Sequence, residues 1–342
     1  MSRTVLHLVG SPVDEFHAEL SALYVRGCLD VLQDMYYNRV AYVAPGGKWQ
    51  FPTSLSSAAL AEAPYLSAAE GIAHLASLDV SVVVPQMFCM PGMTSYRALL
   101  DVVGIPFVGN SAAVMSIAAD KAKTRAIVAG AGVDIPDGRV VHDATPTDLS
   151  LPVVVKPVGA DNSAGVSLVR EADEYEASVN AALAHSGVAL VESYVELGRE
   201  VRCGIVVRDG ELICLPLEEY AVDSVTKPVR DAADKLARRD DGELFLVAKD
   251  AERAWIVDVD DPITERVWEA ARRAHAALGC RHYSLFDFRV DPNGEPWFLE
   301  AGPYCSFAPT SVIAVMAAAA GISVEQLFAD ALAELDRETS RA

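Results

Sequence analysis

The chain of 342 residues lacks several features that mark common classes of protein. It has no run of eighteen or more apolar residues, so we expect no membrane-spanning helix. It carries 28 Lys and Arg against 48 Asp and Glu, a net charge of −20. Nucleic-acid binding needs a surplus of basic side chains, so we expect no nucleic-acid partner. The six cysteines form no CxxC pair, which predicts reduced thiols rather than disulfides or a metal cluster.

Familiar catalytic motifs are also missing. The absence of a GxSxG elbow argues against a serine hydrolase, and the absence of paired histidines argues against a zinc enzyme. No GxxxxGK[ST] motif occurs, so a P-loop is not expected. The N-terminus MSRTVLHLVG leads straight into a strand pattern without a cleavage site. We therefore expect no signal peptide and a cytoplasmic protein.

The most informative segment present is a hairpin pattern at residues 283–300. Two apolar-aromatic runs flank the turn signal DPNGE at residues 291–295. A turn centred on Asn293-Gly294 pairs Asp287 with Glu300, and opposed residues stand about 4.5–5.5 Å apart. Two carboxylates at that distance repel, so we expect a cation between them, which favours Mg²⁺. An ion pair with Arg or Lys, or two solvated acids at a strand end, are the alternatives.

If the two carboxylates repel, removing either one is expected to leave stability unchanged or to raise it. Arg289 shares a strand face with Asp287 under the two-residue period of a strand. It is therefore a candidate partner for the acidic pair.

Two upstream segments complete the pattern, and the first of them suits the binding of phosphate. Residues 151–169 form a strand pattern ending at Lys156, then a Gly/Ser loop, then a second strand. A lysine and the N–H groups of such a loop suit phosphate, although an ordinary hairpin with a solvated lysine has the same pattern. Residues 188–206 hold an apolar strand ending at Glu192, a short irregular stretch, and a second strand near Glu200.

Strand and helix patterns alternate over the first 115 residues. Such alternation predicts a small doubly wound parallel sheet. The predicted strands span residues 3–10, 38–44, 79–85 and 105–108, and the predicted helices between them span 15–33, 67–77 and 94–103. A further helix is expected at 112–131, and a mobile loop over a cleft at 218–250.

Taken in this order, the three segments resemble the ATP-grasp superfamily, specifically its D-alanine–D-alanine ligase branch. The resemblance runs from about Ala119 to Gly321. It implies an ATP-dependent ligase that forms carbon–nitrogen bonds, with ATP and Mg²⁺ as cofactors. The implied fold class is α/β and α+β, an ATP-grasp fold with an N-terminal doubly wound parallel-sheet domain. The expected units are an N-terminal α/β domain (1–115), a lysine/glycine-loop subdomain (116–200) and a C-terminal subdomain with the hairpin (201–342).

The resemblance also implies roles for individual residues. Two lysines and the glycine loop would hold the phosphates, a hinge would face the adenine, and an acid would hold the ribose. The implied nucleotide-binding residues are Lys121, Lys156, Asp161, Asn162, Ser163, Glu192, Ser193, Val195 and Glu200. The implied metal ligands are Asp287 and Glu300. The expected catalytic cations are Lys156, Lys235 and Arg202, with Arg230 as a further candidate.

The chain departs from the D-alanine–D-alanine ligase pattern where the substrates would bind. The segment VVVPQMFCMPGMTSYRALL stands where an HGxxGEDG-type motif is expected. Leu285 replaces the arginine expected to stabilise the oxyanion, and Gly302 replaces an asparagine expected as a metal ligand. Ser311 retains the serine expected to bind the incoming carboxylate. The nucleotide half is thus preserved and the substrate half rebuilt.

A closer likeness is to the D-Ala–D-Ala-ligase-like enzymes of mycosporine-like amino acid biosynthesis. It is carried by VVVPQMFCMPGMTSYRALLD, GREVRCGIVV, LPLEEY, CRHYSLFDFRVD and FLEAGPYCSFAPTSV. It implies the joining of a serine- or threonine-like amino acid to mycosporine-glycine, both small molecules. Phe88, Ser306 and Ser311 would bind these substrates, Cys305 is either a pocket or a core residue, and a homodimer is possible.

Two alternatives share the nucleotide residues. A dipeptide or amino-acid ligase of another specialised pathway would differ only in the acceptor pocket. A non-catalytic ATP-binding module would be consistent with the metal ligand lost at Gly302.

Overall fold

The computed structural model describes residues 3–160, 163–229, 236–238, 244–246 and 253–341. The predicted site residues Asp161, Asn162 and Lys235, and the candidate Arg230, lie outside the described residues.

The N-terminal region is built on a four-stranded, mainly parallel sheet. Its strands are β1 (Thr4–Gly10), β2 (Tyr37–Val43), β3 (Trp49–Gln50) and β4 (Val82–Pro85), in the order β3-β2-β1-β4. Strand β1 pairs in parallel with β2 and β4, and its last six residues are buried, as in a sheet covered on both faces. The helices are α1 (Glu15–Leu32), α2 (Ser57–Glu62), α3 (Ala68–Ser77), α4 (Met90–Met93) and α5 (Ser95–Val102).

The predicted parallel sheet is therefore confirmed, although one of its four predicted strands is absent and the short antiparallel strand β3 was not predicted. Residues 105–108 form no strand, and Phe107 makes only an isolated parallel bridge to Val83.

The single helix predicted at residues 112–131 is two helices, α6 (Ala112–Ala118) and α7 (Lys121–Gly130). The break lies at Asp120, whose backbone is extended and whose carboxylate accepts a hydrogen bond from the N–H of Lys123 at 3.0 Å. Asp is a preferred N-cap residue, so it starts a new helix there. Lys121 therefore stands at the first turn of α7.

The second sheet is antiparallel, with the order β5-β8-β6-β7. Its strands are β5 (Gly138–Val141), β6 (Val153–Pro157), β7 (Ser167–Val169) and β8 (Ala189–Ser193), and α8 (Tyr175–Ser186) packs against it. Lys156 lies at the end of β6 and Glu192 at the end of β8, as the sequence predicts.

The third sheet is also antiparallel, with its main strands in the order β14-β11-β9-β15-β16 and β10 pairing with β9. Its strands are β9 (Arg199–Arg208), β10 (Glu211–Cys214), β11 (Glu218–Tyr220), β14 (Ala254–Ile256), β15 (Tyr283–Val290) and β16 (Pro296–Ala301). Strands β12 (Leu236–Arg238) and β13 (Leu244–Leu246) form a separate pair. The expected loop at 218–250 thus contains three strands.

The C-terminal helices join the first sheet to the third. The remaining helices are α9 (Thr264–Leu278), α10 (Val312–Ala319) and α11 (Val324–Arg341). Met316 and Phe328 share one buried core with Val5 of β1 and Tyr283 of β15. No single described helix is long and apolar enough to cross a membrane; α10 and α11 reach that length only as a pair bent by 106°.

Asn110 cross-links the N-terminal region to the start of β15 and to the loop after β16. Its amide nitrogen donates to the carbonyl oxygens of Tyr283 at 2.8 Å and Pro303 at 2.7 Å. Its amide oxygen accepts from the N–H of Arg281 at 2.6 Å, and its own carbonyl accepts from Arg97 at 3.0 Å. The side chain is fully buried and its hydrogen-bonding capacity is used.

Asn110→Ala should lower the free energy of unfolding by about 2–3 kcal/mol, because it leaves buried backbone groups without partners. Urea denaturation measures the loss. Asn180→Ala, at an exposed position of α8, is the matched control and should stay within about 0.5 kcal/mol of the wild type. Equal stability of the two variants would contradict the cross-link.

Candidate active site

A row of charged side chains crosses four neighbouring strands of the third sheet. Glu300 on β16 lies opposite Asp287 on β15, Asp287 lies opposite Arg202 on β9, and Arg202 lies opposite Glu218 on β11. Residues in register on adjacent strands point to the same face of a sheet. The four side chains therefore form one line across the face of the sheet, in the order Glu300, Asp287, Arg202 and Glu218.

The predicted pairing of Asp287 with Glu300 is confirmed, although the turn differs from the predicted one. The N–H of Asp291 bonds to the carbonyl of Glu295 at 3.0 Å, which gives a three-residue turn instead of a two-residue one. Gly294 adopts a positive φ of 84°, as the last residue of such turns does. The resulting one-residue shift is cancelled by a bulge between Asp287 and Phe288.

The structure places two cations beside these acids, Arg202 and Lys121. Arg202 Nε lies 2.6 Å from Asp287 Oδ1, and Lys121 Nζ lies 3.5 Å from Glu300 Oε2. Burial alone would lower the pKa of Arg202, but the neighbouring Asp287 carboxylate raises it well above its ordinary value, so the guanidinium stays charged. Of the alternatives that the sequence left open, the ion pair with Arg or Lys is therefore the one present in this structure.

The same two carboxylates fit a magnesium ion. Carboxylate oxygens are the hard ligands that Mg²⁺ prefers, and this ion is commonly held by one or two of them together with phosphate oxygens and water. Among the described residues, no cluster of three or more His, Cys, Asp and Glu side chains is suited to hold a metal ion. A magnesium ion held by Asp287 and Glu300 would complete its ligand sphere with phosphate oxygens and water.

A second buried ion pair lies in the next row of the same face. Arg289 Nη2 lies 2.6 Å from Glu200 Oε2, and both side chains are about 5% exposed. The guanidinium also donates to the carbonyl of Val195 at 3.3 Å and lies over the ring of Tyr194. Arg289 therefore pairs with Glu200, whereas the sequence pattern made it a candidate partner for Asp287.

A third ion pair closes the opposite wall, on the second sheet. Lys156 Nζ lies 2.5 Å from Glu192 Oε2, and Arg125 Nε lies 3.2 Å from Glu192 Oε1. Glu192 is 3% exposed, so its charge is balanced by two cations inside the wall. Arg125 was not among the residues expected from the sequence. Its spacing of four from Lys121 on α7, which puts both on one helix face, is the signal that could have indicated it.

These residues surround a cleft of about 750 Å³, counting its open mouth. Its lining combines charged groups with apolar side chains such as Val154 and Val166. Of the described residues predicted to bind nucleotide, all line this cleft: Lys121, Lys156, Ser163, Glu192, Ser193, Val195 and Glu200.

A larger cavity of about 1460 Å³ lies on the other side of the acidic pair. Phe88 packs edge-on against Tyr24 and Tyr304, with ring centroids 5.2 and 5.8 Å apart. Three methionines also line this cavity, as do Arg202 and Leu285. Tyr24 and Tyr304 were not predicted from the sequence, because tyrosines are common in ordinary cores.

The three predicted substrate residues, Phe88, Ser306 and Ser311, all line this second cavity. Ser311 caps α10, since its hydroxyl accepts from the N–H of Ala314 at 3.4 Å. Helix N-termini favour carboxylates, because free N–H groups and the helix dipole both face the anion. Cys305 satisfies both expectations for it: it lines the cavity and belongs to the core. Burial raises the pKa of its thiol to about 12, so it stays protonated.

The two cavities share four lining residues: Lys121, Ala160, Asp287 and Glu300. The acidic pair and Lys121 therefore stand where the contents of one cavity would meet those of the other. This arrangement can place a phosphate in the cleft beside a second molecule in the larger cavity.

Comparisons with known proteins agree with this geometry. A family model described as "D-ala D-ala ligase C-terminus" matches residues 137–333. The D-alanine–D-alanine ligase of Nitrosospira multiformis is 30% identical over 238 residues, covering 68% of this chain and 71% of the relative. That of Mycolicibacterium smegmatis is 31% identical over 245 residues, covering 68% of this chain and 62% of the relative.

Solved structures resemble the whole chain at lower identity. The VanG D-Ala:D-Ser ligase from Enterococcus faecalis superposes with a TM-score of 0.76 at 21% identity, covering 98% of this chain and 100% of its own. The D-alanine–D-alanine ligase from Bacillus anthracis complexed with ATP gives 0.69 at 18% identity, covering 99% of each chain. These structures establish the fold, and the predicted fold class is confirmed.

The ion pairs reverse the expected effect of removing a carboxylate from the hairpin. Asp287→Asn should lower the free energy of unfolding of the nucleotide-free protein by about 1–3 kcal/mol, because the buried Arg202 loses its nearest counter-charge. Glu300→Gln should cost less than about 1 kcal/mol, since Glu300 is more exposed than Asp287 and lies farther from its partner, Lys121. Denaturant titration tests both variants. If Asp287→Asn were more stable than the wild type, repulsion between the two carboxylates would be the dominant effect, as the sequence alone led us to expect.

Proposed function

Because the chain belongs to the D-alanine–D-alanine ligase family, we propose that it joins an amino acid to a flat-ring acceptor, mycosporine-glycine. Family membership makes it an ATP-dependent ligase that forms carbon–nitrogen bonds and uses ATP and Mg²⁺. The proposed amino acid is serine- or threonine-like, and the product is a disubstituted mycosporine-like amino acid. The observation that carries the proposal is the junction of the two cavities at Asp287 and Glu300.

The nucleotide is proposed to occupy the smaller cleft. Its phosphates would contact Lys121 and Lys156, and the loop that contains Ser163. Its adenine would lie against the strand end near Ser193 and Val195, with Glu192 accepting from the exocyclic amine. The ribose would meet Glu200, which Arg289 holds in place at 2.6 Å. Bound Mg²⁺, held by Asp287 and Glu300, would neutralise phosphate charge.

The larger cavity supports an acceptor with a flat, uncharged ring. Its described lining has charged side chains only at the reactive end: Lys121, Arg202, Asp287 and Glu300. The remainder consists of aromatic rings, methionines and small neutral side chains, including Phe88, Tyr24 and Tyr304. Such a surface suits a ring with delocalised electrons better than a free ammonium group, which would need a carboxylate of its own.

The reaction would proceed in two steps. The acceptor's ring oxygen attacks the γ-phosphorus of ATP; a new oxygen–phosphorus bond forms, and the bond to ADP breaks. The amino-acid nitrogen then attacks the ring carbon that carries the phosphorylated oxygen, forming the carbon–nitrogen bond and releasing phosphate and a proton. Oxygen is a poor leaving group until it is phosphorylated, which is why ATP is consumed.

Leu285 stands where the family pattern has an arginine. Arg202 is proposed to supply the positive charge that this leucine lacks. It lines the acceptor cavity beside Asp287, and its guanidinium is charged and buried. Fixed cations aimed at a transferred phosphoryl group stabilise the charge that develops there. Arg202 is thus placed to neutralise the phosphoryl group on the acceptor side, while Lys156 does so on the nucleotide side.

The proposal is tested by incubating the protein with mycosporine-glycine, ATP, Mg²⁺ and a mixture of the twenty amino acids. We expect an imine-linked product with equimolar ADP and phosphate, detected by mass spectrometry. D-Alanyl-D-alanine, tested in parallel with D-alanine, should be negligible. If dipeptides form efficiently and no ring product appears, the acceptor is an amino acid rather than mycosporine-glycine. The protein would then be a dipeptide ligase of another specialised pathway.

Ser311 provides a sharper test of the amino-acid site. Ser311→Asp keeps an oxygen that caps α10 but adds a negative charge, so it should raise the amino-acid KM at least tenfold and leave the ATP KM within about threefold. Ser311→Asn keeps a neutral cap and is the matched control, with a much smaller change. Steady-state kinetics with each substrate varied separately give both constants. An unchanged amino-acid KM in Ser311→Asp would remove Ser311 from the site.

A further inference from the structure

The buried charges behind Arg202 have no role in the reaction described so far. Glu218 lies opposite Arg202 across β9 and β11 and is 4% exposed. The hydroxyl of Tyr220 donates to Glu218 Oε2 at 2.8 Å. The guanidinium of Arg202 lies 5.0 Å from the centre of the Tyr220 ring. Neither Glu218 nor Tyr220 is among the described residues that line the two cavities.

Arg202 is therefore held between two acids on opposite sides. Asp287 lies 2.6 Å away on the side of the cavities, and Glu218 is in register on the far side. The ring of Tyr220 covers the guanidinium, and its hydroxyl fixes the carboxylate of Glu218.

This arrangement matters when Asp287 binds a metal ion. The Asp287 carboxylate cannot fully neutralise both Arg202 and a divalent cation. Glu300 and the phosphates would meet the charge of the ion from their own sides, but without another acid the single Asp287 carboxylate would have to face both the buried guanidinium and Mg²⁺. A cation buried without compensation is costly, so the metal would bind less tightly.

We infer that Glu218, oriented by Tyr220, is a positioning residue that balances the charge of Arg202 so that Asp287 is available to the metal. The inference rests on the proposed metal role of Asp287 and Glu300, but not on the identity of the acceptor or amino acid. Glu218 acts through Arg202 and Asp287, and touches neither substrate nor metal.

The test measures Mg²⁺ binding to the full-length protein saturated with a non-hydrolysable ATP analogue, with no acceptor present. Glu218→Gln should raise the Kd for Mg²⁺ at least tenfold, and Tyr220→Phe about threefold. The metal-free affinity for the analogue should change less than threefold in both. Glu219→Gln is the matched control: the adjacent acid pairs with Arg199 instead, at 2.5 Å, and its removal should leave the Kd within twofold.

A double variant separates charge balance from general damage to the sheet. In Arg202→Met/Glu218→Gln the excess cation is gone, so the Kd for Mg²⁺ should return to within threefold of the wild-type value. Structural damage from Glu218→Gln would instead persist or worsen in the double variant.

Three outcomes would overturn the inference: an unchanged Kd in Glu218→Gln, an equal loss in Glu219→Gln, or no recovery in the double variant. A wild-type protein that binds the analogue but no Mg²⁺ would overturn the metal site and this inference together. Failure to make the ring product, with these Kd changes intact, would count against the proposed acceptor alone.

Discussion

The antiparallel pairing of β9, β15 and β16 is the constraint on which the rest of the site depends. Its register brings together Arg202, Asp287 and Glu300, which are far apart in the sequence. A shift of one residue on β15 would turn Asp287 to the opposite face and bury it in the apolar core around Phe286 and Phe288. Such a shift would cost both an unpaired buried carboxylate and an unpaired guanidinium. The charged row therefore reinforces the register that creates it.

Local patterns in the sequence were sufficient for the sheet types and for the main acidic pair. Lys156, Glu192, Asp287 and Glu300 all end or flank apolar strands, and period-two patterns are easily recognised. The hairpin shows the limit of such patterns, since a three-residue turn and a compensating bulge give the same pairing as a two-residue turn. The extra residue of that bulge is Leu299 on the edge strand β16, and a leucine in an apolar strand carries no signal that would mark it in the sequence.

The partners of the acids could not be predicted in the same way. Arg125 is 67 positions from Glu192 along the chain, Arg202 is 85 from Asp287 and Arg289 is 89 from Glu200. Which cation meets which acid is decided by the order of strands in the sheet and by the position of α7. Neither is visible in hydrophobic periodicity. The revised expectation for the stability of the acidic pair has this origin, since repulsion dominates only when no cation is near.

The two cavities differ in how readily their lining residues can be substituted without a large loss of stability. In the smaller cleft each buried acid is paired with a cation, as Glu192 is with Lys156 and Glu200 is with Arg289. A substitution of one member leaves the other uncompensated and costs several kcal/mol. Beyond its reactive end, the described lining of the larger cavity is neutral, so substitutions such as those around Phe88 change shape without leaving a buried charge. Under the proposed function, such a design would allow one phosphoryl donor to be kept while the acceptor changes.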